Sequence, residues 1–274
     1  LKKILNMSFL NKNTKAVIRI SKDAGESILG IYKKSKTDFE LKEDRSPLTE
    51  ADIVSHKTIV RGLRKLTPNL PILSEEESEI PFDVRSTWKQ YWLIDPLDGT
   101  KEFIKRNGEF TVNIALIKNN KPILGVIFVP VTNEVFYGYE NGGSFYTKGE
   151  SKTKKIVVKN NYKEAIRVVS SRSHPNDKLA SFLKNIKTSK SISIGSSLKF
   201  CLIASGKADI YPRFGPTSEW DTAAGHAILK FAGGSILTLK KQELTYNCKE
   251  SLLNPDFIAS CNRKMTEEII SSFL

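Results

Sequence analysis

Cysteine is scarce in this chain. Cys201, Cys248 and Cys261 are three residues in 274, an odd number, with no two close together and no Cys-x-x-Cys or Cys/His pairing. That excludes a disulfide framework and a structural zinc site, and it predicts buried or half-buried free thiols in a reducing compartment. Long apolar runs are missing too. The most apolar stretch, Ile123 to Val131, is strand-sized, well short of the roughly 18–20 residues of a membrane helix. At the N-terminus Lys2 and Lys3 precede a few apolar residues, but Asn6, Ser8 and Asn11 interrupt them before the apolar core of a signal peptide can form. The reading is a cytoplasmic protein, with Met7 an alternative start to the unusual Leu1.

Positive charge, in contrast, is abundant. Lysine and arginine number 43 against 30 acidic residues, a net +13. A polyanionic partner would explain this, but so would compositional drift in a chain rich in Lys, Asn, Ile and Ser. The lysines are scattered (Lys33, Lys118, Lys152, Lys240 among them) and are not interleaved with aromatics. Drift is the better account, and nucleic acid is not an expected partner. A basic surface is compatible with weak peripheral membrane association, although no amphipathic anchor indicates one. No motif specifies an oligomeric state.

Hydrophobic spacing predicts a helix from about Asn13 to Ser35 and a second opening at Leu48-Thr49-Glu50-Ala51-Asp52, with a polar loop over Thr37 to Pro47 between them. Short apolar strands follow at Leu70 to Leu73 and Tyr91 to Ile94. A meander is expected over Val112–Ile117, Ile123–Val129 and Glu134–Tyr139. From about Ile156 strands and helices alternate, with a helix over Asp221 to Phe231 stopped by Gly233-Gly234. The expected fold class is α/β: an α+β half over 1–155 joined to an α/β half over 156–274 in one compact body.

Three acidic motifs stand out. In Ile94-Asp95-Pro96-Leu97-Asp98-Gly99-Thr100 a buried strand ends in two carboxylates three residues apart, with Pro96 stiffening the turn and Gly99 permitting a sharp fold. Crowded aspartates repel unless a divalent cation lies between them, and the Leu97 carbonyl offers a further hard oxygen. Read alone, the motif is as well explained as an ordinary Asp-Gly turn. Ser74-Glu75-Glu76-Glu77 also puts acids at the end of an apolar strand, where Glu76 and Glu77 read as a solvated helix start. Glu219-Trp220-Asp221-Thr222 sits at a strand-to-helix junction, where Asp221 serves either as a cap or as part of a site. An aspartyl-phosphate mechanism of the haloacid-dehalogenase kind is excluded by spacing, because Pro96 occupies the position of the nucleophile two residues before Asp98.

These motifs, in this order, resemble the signatures of the inositol monophosphatase superfamily: Glu75-Glu76, Asp95-Pro96-Leu97-Asp98-Gly99-Thr100 and Trp220-Asp221-Thr222-Ala223-Ala224-Gly225. The longer wording resembles its 3′(2′),5′-bisphosphate nucleotidase branch. It appears in the run from Asp98 to Asn113, in Ser171-Arg172-Ser173-His174, in Gly195-Ser196-Ser197-Leu198-Lys199-Phe200, in the run from Tyr211 to Pro216 and in that from Ser251 to Pro255. The resemblance covers nearly all the chain and implies a layered αβαβα sandwich and lithium-sensitive, Mg²⁺-dependent hydrolysis of a phosphomonoester. It implies that Glu75, Asp95, Asp98, Asp221 and the Leu97 carbonyl hold two or three Mg²⁺ ions. Asp52 and Thr100 would orient and activate the attacking water, with Glu75 counted among the catalytic groups. The implied substrate is adenosine 3′,5′-bisphosphate, cleaved at the 3′-phosphate to AMP in recycling a by-product of sulfur assimilation.

Gly99, Thr100, Ser171, His174, Ser196, Lys199 and Asp221 are the expected substrate contacts. Taken alone, Lys199 reads as a surface lysine, His174 as a turn residue and Arg213 as half of an ion pair. The resemblance favours Lys199 and His174 as anchors for the retained phosphate or ribose. His56 and His226 read as structural. The alternatives are an inositol or sugar monophosphate phosphatase with the same metal core, and a basic nucleic-acid-binding protein. The second would leave the acidic motifs unexplained.

Overall fold

The computed structural model describes residues 2–34, 39–41, 47–159, 166–172, 177–184, 186 and 188–273. The first helix, α1 (Lys2–Tyr32), is followed by a two-strand ribbon, β1 (Phe39–Leu41) with β2 (Pro47–Thr49), and by α2 (Glu50–Leu66). Next come β3 (Ile72–Ser74), the single turn α3 (Phe82–Arg85), β4 (Gln90–Asp98) and α4 (Thr100–Ile104). The meander is β5 (Thr111–Lys118), β6 (Lys121–Val129), β7 (Glu134–Tyr139), β8 (Gly143–Lys148) and β9 (Lys154–Ile156). The remaining elements are β10 (Ile166–Ser171), α5 (Asp177–Lys184), β11 (Thr188–Ile194), α6 (Leu198–Ala204), β12 (Ile210–Arg213), α7 (Glu219–Phe231), β13 (Ser235–Thr238), β14 (Phe257–Ser260) and α8 (Arg263–Phe273).

Two sheets organise the described residues. The seven-stranded sheet runs β3-β4-β5-β6-β7-β8-β9, antiparallel except for the parallel β3–β4 pair. The five-stranded sheet runs β11-β10-β12-β14-β13, parallel across its first three strands and antiparallel beyond. Strands buried on both faces read as continuous apolar runs, and β4 to β6 do so. From β4, Trp92 and Ile94 join Val17, Ala24 and Ile28 of α1 and Ile59 and Leu63 of α2 in one core, while Tyr91 and Leu93 join Ala223, Ala224 and Ile228 of α7 in the other. On the outer side of the second sheet α8 packs on β13 and β14, and Phe182 of α5 meets Phe273 of α8 edge-on. The order of layers is therefore helix, sheet, helix, sheet, helix.

The central helix α7 lies unusually close to the first sheet because glycines let it. A Cβ built on Gly125 of β6 would stand 2.4 Å from the Ala224 carbonyl oxygen, and one on Gly138 of β7 would stand 3.1 Å from Ile228 Cα. The helices that carry Asp52 and Asp221 each begin with a capping box. Thr49 with Asp52 opens α2, and Ser218 with Asp221 opens α7.

The structure corrects several expectations. The Asp95–Asp98 segment is not a turn after the strand: β4 continues through a bulge to Asp98, which pairs with Thr111, and the chain turns at Gly99. Pairing with β5 overrides the local turn preference of Asp and Pro. The polar loop expected over 37–47 holds β1 and the first residue of β2, whose other two residues, Leu48 and Thr49, precede α2, α1 begins well before Asn13, and α8 appears where no helix was expected. Cys201 and Cys261 are buried thiols, but Cys248 is exposed. No helix among the described residues is long and apolar enough to cross a membrane.

Candidate active site

One cleft gathers the three acidic motifs. Glu75, Asp95, Leu97, Asp98, Gly99, Thr100 and Asp221 line it together with Ser171, Ser196, Lys199 and Arg213. Its floor is built from the end of β4, the residue after β3, and the first turns of α4, α6 and α7. The sequence folds this way because β3 and β4 are parallel neighbours with Ser74 opposite Ile94, so Glu75, just past the end of β3, stands beside Asp95, which is still paired within β4. Asp221 arrives from the other side, carried on the first turn of α7 and held by the Ser218 N–H at 2.9 Å.

Burial and crowding set the electrostatics. Asp95 is held well above the usual carboxylate range, first by burial and then by Glu75, Asp98 and Asp221. Asp221 is raised well above its ordinary value by burial, then by Asp98 and Glu75. Asp98 is raised by burial, opposed by Lys199 and by donors from Asn113 and Ser197. Among the described residues no three such side chains are drawn into a ready-made ligand cage. Repulsion between like charges keeps such a group apart, and a bound cation reverses the sign of that interaction. The donors are all hard oxygens, including the Leu97 carbonyl, and this chemistry fits magnesium.

Asp52 divides its two oxygens. Oδ2 accepts from the Thr49 N–H at 2.8 Å and from the Thr49 hydroxyl at 2.5 Å, completing the cap of α2. Oδ1 accepts from the Thr100 hydroxyl at 3.3 Å, which stands equally far from the Leu97 carbonyl. Gly99 precedes α4 at φ +95°, and a Cβ there would meet the Glu109 carbonyl at 3.1 Å.

The far wall is cationic. Lys199, 5% exposed, donates to the carbonyls of Ser196 and Ile194 and sits 5.3 Å from the Tyr211 ring centroid. Burial lowers its amine to about 8, partly opposed by Asp98. Arg213 donates to the Pro216 carbonyl at 2.5 Å, while its buried Nε has no hydrogen-bond partner among the described residues. Ser196 has a left-handed backbone (φ +49°), and its buried hydroxyl likewise has no partner among the described residues. Two buried donors on a cationic wall suit an anion. Ser171 lines the cleft at the end of β10; His174 lies outside the described residues.

Sequence reasoning did not single out Thr111, Ser197 or Glu109, and it met Asn113 only as the end of a motif. The Asn113 amide, the Thr111 hydroxyl and the Ser197 N–H all donate to Asp98 Oδ2, at 3.1, 3.4 and 2.5 Å. The usable signal was Asn113 itself, a polar residue inside the apolar β5, where burial obliges it to find a partner. His56 Nδ1 lies 2.8 Å from the Ser74 hydroxyl. His226 is buried 3.0 Å from the Tyr246 hydroxyl.

With this geometry in place, the chain belongs to the inositol monophosphatase family, whose profile matches residues 10–274. Among its relatives, the 3′(2′),5′-bisphosphate nucleotidase CysQ of Escherichia coli K12 is 49% identical over 245 residues, covering 89% of this chain and 98% of its own. The Salmonella typhimurium protein of the same name is 48% identical over 242 residues, 88% and 96% of the two chains. The crystal structure of CysQ from Bacteroides thetaiotaomicron, described as a bacterial member of the inositol monophosphatase family, superposes with a TM-score of 0.80 at 44% identity, covering 91% of this chain and 97% of its own.

Proposed function

We propose that this protein is a magnesium-dependent 3′(2′),5′-bisphosphate nucleotidase that hydrolyses adenosine 3′,5′-bisphosphate to AMP and phosphate. The observation that carries the reading is a single cleft with carboxylates on its floor, Glu75, Asp95, Asp98 and Asp221, and buried cations, Lys199 and Arg213, on its wall. A bisphosphate has one phosphate to cut and one to hold, and such a cleft offers a separate place for each. The nucleotidase names of the relatives, at nearly half identity over most of the chain, support the same substrate class.

Glu75, Asp95, Asp98, Asp221 and the Leu97 carbonyl would hold the two or three Mg²⁺ ions. When bound, the metal supplies a Lewis acid that neutralises charge on the scissile phosphoryl group. Thr100 and Asp52 form a proton path: the hydroxyl, 3.3 Å from Asp52 Oδ1, orients the attacking water and hands its proton towards the carboxylate. As the water oxygen bonds to phosphorus, the bond to the ribose 3′ oxygen breaks. Gly99 and Thr100 border the scissile group. Lys199, Ser196, Ser171 and His174 hold the retained phosphate or ribose, joined by Arg213, whose unpartnered Nε needs an acceptor.

The test is phosphate release with Mg²⁺ from adenosine 3′,5′-bisphosphate beside inositol 1-phosphate, each with and without lithium. Lithium-sensitive cleavage preferring the nucleotide is the expected result. Preference for the inositol ester would keep the metal chemistry and overturn the assignment of the cationic wall.

A further inference from the structure

Glu109 is neither one of the candidate metal ligands nor one of the expected substrate contacts, yet its side chain reaches across from the loop before β5 to the rim built by the second sheet. Its Oε2 accepts from the Gly195 N–H at 2.7 Å and from Arg172 Nε at 2.9 Å, and its Oε1 accepts from Arg172 Nη2 at 2.7 Å. Arg172 Nη2 also donates to the Ser193 carbonyl at 2.9 Å. One carboxylate therefore ties together the end of β10, the end of β11 and the loop entering β5.

The backbone of Glu109 is wedged in the same place. A Cβ on Gly99 would stand 3.1 Å from the Glu109 carbonyl oxygen, and one on Gly195 would stand 2.9 Å from it. The adjoining Phe110 is fully buried and anchors the loop. Glu109 thus has little freedom to follow the rim if the rim shifts.

The segment that Glu109 grips is the one carrying the anion donors. The Gly195 amide is held by Glu109 and the Ser197 amide by Asp98. Between them Ser196 adopts its left-handed conformation with an unpartnered hydroxyl, and its carbonyl receives the Lys199 ammonium. A left-handed serine persists only where its surroundings over-determine it. The two amide contacts supply that constraint.

We propose that Glu109, clamped by Arg172, is a positioning residue for substrate discrimination: it holds Ser196 and Lys199 at the spacing that accepts the second phosphate of a bisphosphorylated nucleotide. The inference rests on the nucleotidase reading. The bidentate Arg172 also keeps the Glu109 charge from opposing an incoming phosphate. Arg172 is exposed, so salt should weaken the clamp.

The experiment compares wild type, Glu109→Ala and Arg172→Lys on adenosine 3′,5′-bisphosphate and on adenosine 3′-monophosphate, which lacks the group to be held. Hydrogen exchange over residues 193–199 and melting temperature are followed alongside. In Glu109→Ala the KM for the bisphosphate should rise about tenfold with kcat within about twofold, both constants for the monophosphate should stay put, and exchange at 195–197 should quicken. Arg172→Lys, which keeps charge but not the fork, should fall between. Equal losses on both substrates, or a lower melting temperature with the substrate preference unchanged, would reduce Glu109 to a structural tie and overturn the inference. An unchanged preference in a variant of a wild type that does prefer the bisphosphate sinks the clamp alone. A wild type without that preference sinks the nucleotidase reading, and the clamp with it.

Discussion

The Ser197 backbone N–H donates to the Asp98 carboxylate at 2.5 Å, joining residues 99 positions apart in the chain. A candidate metal ligand at the end of one sheet is thereby oriented by the turn that opens α6 beside the other. The Ser197 hydroxyl extends the network, 2.8 Å from the Thr111 hydroxyl and 2.8 Å from Asn113 Oδ1.

Partners that orient a metal ligand commonly change metal affinity by about 10–100-fold when removed. Asn113→Ala should therefore raise the Mg²⁺ concentration giving half-maximal activity by about that factor, with the circular dichroism spectrum unchanged. A Mg²⁺ titration superimposable on wild type would show that Asn113 merely fills β5.

Asp95→Asn should separate activity from stability. It removes a charge that Glu75, Asp98 and Asp221 repel, so in a chelator the variant should melt no lower than wild type. Turnover with Mg²⁺ should drop by at least about a hundredfold, the scale of losing one electrostatic stabiliser from an active site. Added Mg²⁺ should raise the melting temperature of wild type more than that of the variant. Near-normal activity in folded Asp95→Asn would remove Asp95 from the metal-binding set.

Thr100 offers a cleaner probe of the proton path than Asp52, whose Oδ2 also caps α2. Thr100→Ala should lower kcat by about 10²–10⁴, the usual range for a positioned acid–base group, and Thr100→Ser should restore most of it. Equal activities for Thr100→Ala and Thr100→Ser would show that the hydroxyl takes no part.

How much of this was legible beforehand follows from which interactions are local. The meander was, because apolar runs and Asn-rich turns mark it: β7 runs over Glu134–Tyr139 as expected, and β5 and β6 differ from expectation only by residues at their ends. Asp95, Asp98 and Asp221, which line one cleft, could be picked out as candidates because motif and spacing survive in one dimension. The continuation of β4 to Asp98 was not, since Asp-Pro-Leu-Asp favours a turn and only the partner strand overrules it. Glu109 and Ser197 escaped notice for a related reason: their partners lie 63 to 99 residues away along the chain, and nothing in their immediate neighbours announces a long-range contact. The amphipathic α8 was missed, although Met265, Ile269, Ile270 and Phe273, all of which pack on the core, carry its pattern.

Outside the lining of the cleft, Glu243 is brought down from the ordinary 4.5 to about 2 by buried His226 and then by Lys230, whose Nζ is 2.5 Å from Oε1. A carboxylate with a depressed folded-state value adds stability that is present above its unfolded value and lost as pH falls through the folded one. The margin of wild type over Glu243→Gln should be full above about pH 4.5 and shrink towards pH 2. Melting temperatures of the two proteins between pH 7 and 3 check this. A constant margin would mean that the pair contributes through packing and not charge.

Asp221 rides on α7, which is wedged between the two sheets and pressed against β6 and β7 at glycines. This candidate metal ligand therefore inherits the stiffness of the protein's middle layer. The rim that chooses the substrate hangs instead on strand ends and one surface-side ion pair, Arg172 with Glu109. Chemistry and choice are thus carried by parts of unequal tolerance to mutation. A lineage built this way can drift in what it cleaves, one rim residue at a time, while the machinery that does the cleaving stays as it was.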